Sequence, residues 1–105
     1  MKYNSFKDMP VWKKAIDLSV NIFHISDQLP RSEYYGLSYQ IRRSSGSVHA
    51  NIAEGFEGNK EADKRHFYIL SLGSAFKTQS HLIYGQHVNY FTNDNIYQIL
   101  EKMMN

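Results

Sequence analysis

Cysteine is absent from the 105-residue chain, which excludes disulfide staples and thiolate zinc sites and leaves packing alone to hold the fold. Proline and glycine are scarce, at two and six residues, too few for the turns of a sandwich or barrel. No run of 18 apolar residues occurs, and Met1 to Asp8 lack the apolar centre of a signal peptide. The expectation is a soluble, cytoplasmic protein with no membrane contact. Strong charge of one sign is missing too: 12 Lys and Arg stand against 10 Asp and Glu, a net +2 that permits nucleic-acid binding without demanding it. What remains is 42% hydrophobic and 14% aromatic, enough for one core and on too short a chain for two. A single helix-rich domain over residues 1–105 is expected.

Val11, Ala15, Leu18, Ile22, Ile25 and Leu29 alternate in steps of four and three, the seam of an amphipathic helix. Asp8 is placed to cap it, Pro10 suits its first turn and Pro30 stops it, giving a helix over residues 9–28. Ser32 offers the next N-cap, and a second helix over 33–55 buries Leu37, Ile41, Val48 and Ile52 before the turn at Gly55 to Asn59. The third, over 60–91, places Ile69, Leu72, Phe76, Ile83 and Tyr90 on a heptad-like stripe. Thr92 or Asn93 caps a fourth over 93–104. Four helices on short connections predict an all-α, antiparallel up-down-up-down four-helix bundle. The third helix is unusual, because from His66 to Asn93 only Lys77 is fully ionised. A helix with one solvated face carries charge every turn or so, so the neutral surface predicts self-association. Phe76, Ile83 and Tyr84 are the interface candidates there.

Several pieces of the sequence fall into a known pattern: Phe6-Lys7-Asp8, Val11-Trp12-Lys13-Lys14-Ala15, Leu29-Pro30-Arg31-Ser32-Glu33-Tyr34-Tyr35-Gly36-Leu37, Gln40-Ile41-Arg42-Arg43, Asn51-Ile52-Ala53-Glu54-Gly55 and Gly73-Ser74. Together, over about residues 6–91, they resemble the four helix bundle protein family, that of the 23S rRNA-intervening sequence proteins. The resemblance implies a bundle that assembles as a homopentamer, and a relative serves as the accessory protein of diversity-generating retroelements, binding a reverse transcriptase and nucleic acid. No enzymatic activity comes with it. Lys77 departs from the pattern by reversing a charge usual in relatives, and the C-terminal extension that some of them carry is expected to play no part here.

On the second helix, Arg43, Ser47 and Asn51 share a narrow stripe with Glu54. With Ser74 they form either an anion site or, as the preferred reading, a hydrogen-bonded framework that fixes helix register and the turn at Gly55. Gly36, Gly46 and Gly73 predict close helix approach. Tyr35, Tyr39, Arg42 and His49, with Arg31, suit either stacking on single-stranded nucleic acid or a subunit interface; the interface is preferred because the basic excess is small. Lys2, Lys7, Lys13 and Lys14, together with Lys60, Lys64 and Arg65, form basic patches that symmetry would repeat, the preferred phosphate-contacting surface alongside Arg42. His81 and His87 lie about 240° apart around a helix and cannot pair on a metal. Lacking a nucleophile elbow, HExxH or phosphate-cradling glycine loop, the chain is expected to be no enzyme and to need neither cofactor nor metal. Its expected role is RNA or DNA binding; the alternative is a scaffold that docks another protein, such as a polymerase.

Overall fold

A computed structural model describes residues 3–104, with Lys2 of the expected basic cluster outside them. The described chain is all-α: a 3-10 turn at Phe6–Asp8, α1 (Pro10–Ser26), a second 3-10 turn at Arg31–Glu33, α2 (Leu37–Glu57), α3 (Glu61–His87) and α4 (Asn93–Met104), with no strand among these residues. Each boundary has a local cause. Asp8 does not cap α1 as expected; it belongs to the first turn, whose cap is Ser5, and Met9 precedes the helix in extended backbone with no side-chain bond. Phe6 packs edge-on against Trp12 at 5.2 Å, which folds this turn back over the start of α1. The helix ends at Ser26, two residues before the expected Gln28.

Ser32 is likewise not the cap of α2. Three tight backbone bonds, Glu33 N–H to Pro30 O, Tyr34 N–H to Arg31 O and Gly36 N–H to Glu33 O, wind residues 30–36 into consecutive turns and delay the helix to Leu37. Glu33 reaches ahead instead: its Oε1 accepts the Leu37 N–H at 3.0 Å, satisfying one of the orphan amides of the first helical turn. A Cβ on Gly36 would sit 2.6 Å from that oxygen, so a larger residue there would push the Glu33 carboxylate away from the Leu37 amide.

At its far end α3 stops at His87 rather than running to residue 91. Asn89 adopts φ +65°, a left-handed conformation that asparagine tolerates at helix ends, and the Tyr90 and Phe91 amides both return to Gly85 O. This turn lays Phe91 over Gly85, which has no room for a Cβ beneath the ring. Thr92 Oγ1 then accepts the Asn95 N–H and starts α4.

The core runs from Ala15, Leu18, Ile22 and Ile25 of α1 through Leu37, Ile41, Val48 and Ile52 of α2 to Phe91, Ile96 and Ile99. Fully burying each aliphatic side chain contributes roughly 1.5–3 kcal/mol. From α3 the core receives one large aliphatic residue, Leu82, while the other buried positions of that helix are Ser71, Thr78 and Gly85. Hydroxyls join α3 to α2 there. Ser71 donates to Val48 O at 2.8 Å, and Ser44 and Thr78 meet Oγ to Oγ1 at 2.8 Å in the interior. Ser19 of α1 donates to Ser45 O, so the same device ties α1 to α2. No buried side-chain polar atom among the described residues lacks a partner, which is how so polar a seam remains stable.

Candidate functional site

At 100° per residue, Ser71, Thr78, Leu82 and Gly85 fall within an arc of about 60° on α3, and Ile69, Leu72, Phe76 and Ile83 fall within a second arc centred about 140° away. The first arc faces the bundle; the second faces outward, with Ile69 59%, Leu72 56%, Phe76 60% and Ile83 43% exposed. Tyr84 flanks it and is also exposed, whereas Tyr90 lies beyond the helix. The heptad-like stripe is therefore an outer surface of the protomer. Tyr35 and Tyr39, the other interface candidates, are exposed at a different place, around the start of α2.

Glycine placement corrects the sequence reading. A Cβ on Gly46 or Gly73 would meet nothing within 4 Å, so neither marks a close approach inside this chain. The close approaches are at Gly55, where Tyr68 covers the backbone, and at Gly85 beneath Phe91.

The six expected phosphate contacts divide. Lys13, Lys14, Lys60 and Arg65 are exposed. Lys64 is committed to the end of α2: its ammonium donates to Gly55 O at 3.3 Å and to Phe56 O at 2.8 Å, neutralising the negative end of that helix. Arg42 is an interhelical tie, donating from Nε to Ser26 Oγ at 2.6 Å and lying 4.7 Å over the Phe23 ring. Its contact with Asp27, at 3.7 Å, is the one ion pair among the described residues. Lys13, Lys14, Lys60 and Arg65 thus remain exposed to solvent, with no ion pair among the described residues.

The polar stripe of α2 does not converge with Ser74. Arg43 donates to Tyr39 Oη at 3.2 Å and Asn51 to Ser47 O at 2.8 Å, both within their own helix. Glu54 is exposed, no side-chain bond from it is found among the described residues, and the Gly55 turn is served by Lys64. Ser74 contributes only its carbonyl, to Thr78. Sequence reading missed the residues that do join the helices: Ser44, Ser45, Ser71 and Thr78. Their signal was Ser44-Ser45-Gly46-Ser47, a mid-helix run of weak helix formers whose use in that position calls for compensating bonds.

An apolar cleft of about 920 Å³ opens between α1, α3 and α4, floored by Leu18, Ile52 and Ala75 and bordered by Leu72 and Met103. Lys14 and Lys102 stand on its edge beside Asp17 and Glu101. A second hollow, of about 660 Å³, lies between the end of α1 and the start of α2, bordered by tyrosines and arginines. Among the described residues no three His, Asp or Glu groups converge to hold a metal, and no helix is long and apolar enough to cross a membrane.

Acid titrates three groups whose folded-state values are shifted. Hydrogen bonds from the Leu37 amide and then from Tyr90 hold the Glu33 carboxyl below the ordinary range. Burial pushes His49 down, and burial with the Lys77 charge pushes His81 down. In all three the folded state binds its proton less readily than the unfolded chain, so each favours folding at neutral pH and loses that advantage on acidification. Stability should begin to fall as pH drops below the ordinary histidine value of 6.5 and fall again below 4.5. In Glu33→Gln the lower step should vanish while the upper one persists, read as melting temperature against pH; an unaltered lower limb would remove Glu33 from the account.

The fold and surfaces define a small all-α four-helix protein whose longest helix carries apolar residues on its outer side. The chain belongs to the 23S rRNA-intervening sequence protein family, whose model matches residues 7–105. It is also similar to the crystal structure of a protein from the S23 ribosomal protein family of Bacteroides thetaiotaomicron, described as of unknown function. The two share 26% identity with a TM-score of 0.81, over 88% of this chain and 86% of that one. No curated protein matches.

Proposed function

We propose that this protein is a non-enzymatic, cytoplasmic bundle that self-associates through α3 and binds structured RNA or other nucleic acid on lysines and arginines repeated by symmetry. The observation that carries it is the outward stripe of Ile69, Leu72, Phe76 and Ile83, an apolar row left 43–60% exposed among the described residues. A second copy covers that row, and open helical Gly73, about 40° round from Ile69, lets another backbone come close. Register supports an antiparallel up-down-up-down arrangement: Ser44 pairs with Thr78, Val48 with Ser71 and Gly55 with Tyr68, numbers rising on one helix as they fall on the other. The homopentamer comes from the family resemblance. In such a ring Lys13, Lys14, Lys60 and Arg65 recur five times, so a net charge of only +2 per chain still builds a positive rim.

A salt titration tests the reading. Affinity for a structured RNA should be measurable near 50 mM salt and fall steeply as salt rises, since counterion release dominates phosphate binding. Lys13→Glu/Lys14→Glu/Lys60→Glu/Arg65→Glu should abolish it without changing the assembly. No binding at low salt defeats the proposal. In that event the apolar cleft between α1, α3 and α4 favours the scaffold reading, in which another protein such as a polymerase docks there.

A further inference from the structure

The hollow at the α1–α2 junction gathers cations and aromatics of which Arg42 and Arg43 are only partly engaged within the described residues. Arg31, Arg42 and Arg43 border it with Tyr34, Tyr35 and Tyr39, and Asp27 is its one acidic neighbour. Three guanidinium groups against one carboxylate leave a surplus of positive charge in a concavity of about 660 Å³, inside the range of roughly 300–1,000 Å³ usual for ligand sites. The tyrosines are turned outward: Tyr35 is 86% and Tyr34 64% exposed, with their rings edge to face at 4.8 Å. Edge-to-face packing of these two leaves ring faces open to water, an unfavourable way to display aromatics unless something stacks on them.

The backbone beneath the tyrosines is pinned. Residues 30–36 are wound into consecutive hydrogen-bonded turns, and Glu33, at their centre, is fixed at both ends, by the Leu37 amide and by the Tyr90 hydroxyl at 2.8 Å. Arg42 is held too, with Nε on Ser26 Oγ, Nη2 on Phe23 O at 3.4 Å and 3.7 Å from Asp27, and its plane over Phe23, so that among the described residues Nη1 is the nitrogen with no hydrogen-bond partner. Arg43 orients the Tyr39 hydroxyl by donating to it.

We propose that this hollow binds a short run of unpaired nucleotides, with bases stacked on Tyr34 and Tyr35 and phosphates on Arg31, Arg42 and Arg43. The inference rests on the nucleic-acid reading and deepens it by adding a single-strand site, on other residues, to the basic rim. Paired bases keep their faces inside the duplex and cannot use the rings, whereas unpaired bases can. An acidic peptide would satisfy the arginines and leave the two ring faces unused.

Fluorescence anisotropy with two labelled probes, decauridylate and a ten-base-pair RNA duplex, tests it at about 50 mM salt. Tyr35→Ala and Tyr34→Ala should each weaken decauridylate binding by about tenfold or more, the size usual for loss of a stacked base, and leave the duplex unaffected. Tyr35→Phe should retain wild-type affinity, because the ring and not the hydroxyl carries the contact. Lys13→Glu/Lys14→Glu/Lys60→Glu/Arg65→Glu should show the opposite pattern, losing the duplex first. Both tyrosines are exposed, so an unchanged melting temperature is expected for their alanine variants. Equal affinity of Tyr35→Ala for decauridylate overturns the site. So does a change in sedimenting mass in the tyrosine variants, which assigns the hollow to a subunit contact, or tighter binding of a ten-residue polyglutamate peptide than of decauridylate. Duplex binding without decauridylate binding sinks this inference alone, and absence of both sinks the broader function with it.

Discussion

Phe76→Glu should convert an assembly into folded single chains. Wild-type protein is expected to sediment at about five times the 12.3 kDa chain mass, and the variant at the chain mass itself. The argument rests on where Phe76 lies. At 60% exposure in the protomer it touches little of its own core, so a carboxylate there leaves the monomer fold nearly undisturbed. Between subunits the same carboxylate would lose its water without gaining a cation, at a cost of several kcal/mol, and in a closed ring it does so at every contact. Sedimentation equilibrium gives the mass and circular dichroism the helix content. A wild-type protein that remains a single chain at tens of micromolar, with full helix content, ends the assembly proposal; so does a variant of unchanged mass.

Leu82→Ala should produce the opposite effect, a large loss of stability at a position remote from any surface. Leu82 is completely buried and is the one large aliphatic side chain that α3 sends into the core. Truncating a buried leucine costs roughly 2–5 kcal/mol once the remaining cavity is counted, and small domains have only about 5–15 kcal/mol in total. With Ser71, Thr78 and Gly85 as its other buried positions, α3 has little aliphatic volume with which to close the gap. The midpoint in urea should fall substantially with an unchanged slope. Leu72→Ala, made in the dispersed Phe76→Glu background, should cost less than about 1 kcal/mol, since Leu72 is 56% exposed. Equal losses at the two positions would mean that the inner and outer sides of α3 have been confused.

Both substitutions depend on a distinction that the sequence shows only in part. The seams of α1 and α2 were readable because strongly apolar residues recur there at helical spacing, and Ile22, Ile41 and Ile52 are buried as that spacing requires. In α3 the spacing misleads as to the inner side, for the best apolar row, Ile69 to Ile83, is the outer one, and the row that packs is built of serine, threonine, alanine and glycine around a single leucine, Leu82. Hydrophobic periodicity is blind to a seam made of hydroxyls. What pointed outward was the shortage of charge between His66 and Asn93, a property of the whole surface and not of either stripe. Helix ends were less legible where the cap acts over a distance. Ser32 has the right chemistry for a cap, but Glu33 reaches four residues on to Leu37 and starts α2 later; Asn89 enters the left-handed region and ends α3 early. Among the candidate site residues, residue type alone could not separate Lys64 and Arg42, bound to backbone and hydroxyl partners, from Lys13 and Lys60, which are exposed and unbonded among the described residues. Tyr34 escaped notice since the turn that sets its ring beside Tyr35 is not legible in residue type.

The pair formed by Ser44 and Thr78 bears on how this protein could drift over time. A contact between two small hydroxyls holds two helix axes at one separation, and nearly any larger side chain at either site would wedge them apart. Widening there would tilt the whole outward row of α3 relative to its neighbours. If copies associate through that row as proposed, an interior exchange such as Thr78→Leu would change the geometry of their contact while every residue on the outer face stayed the same.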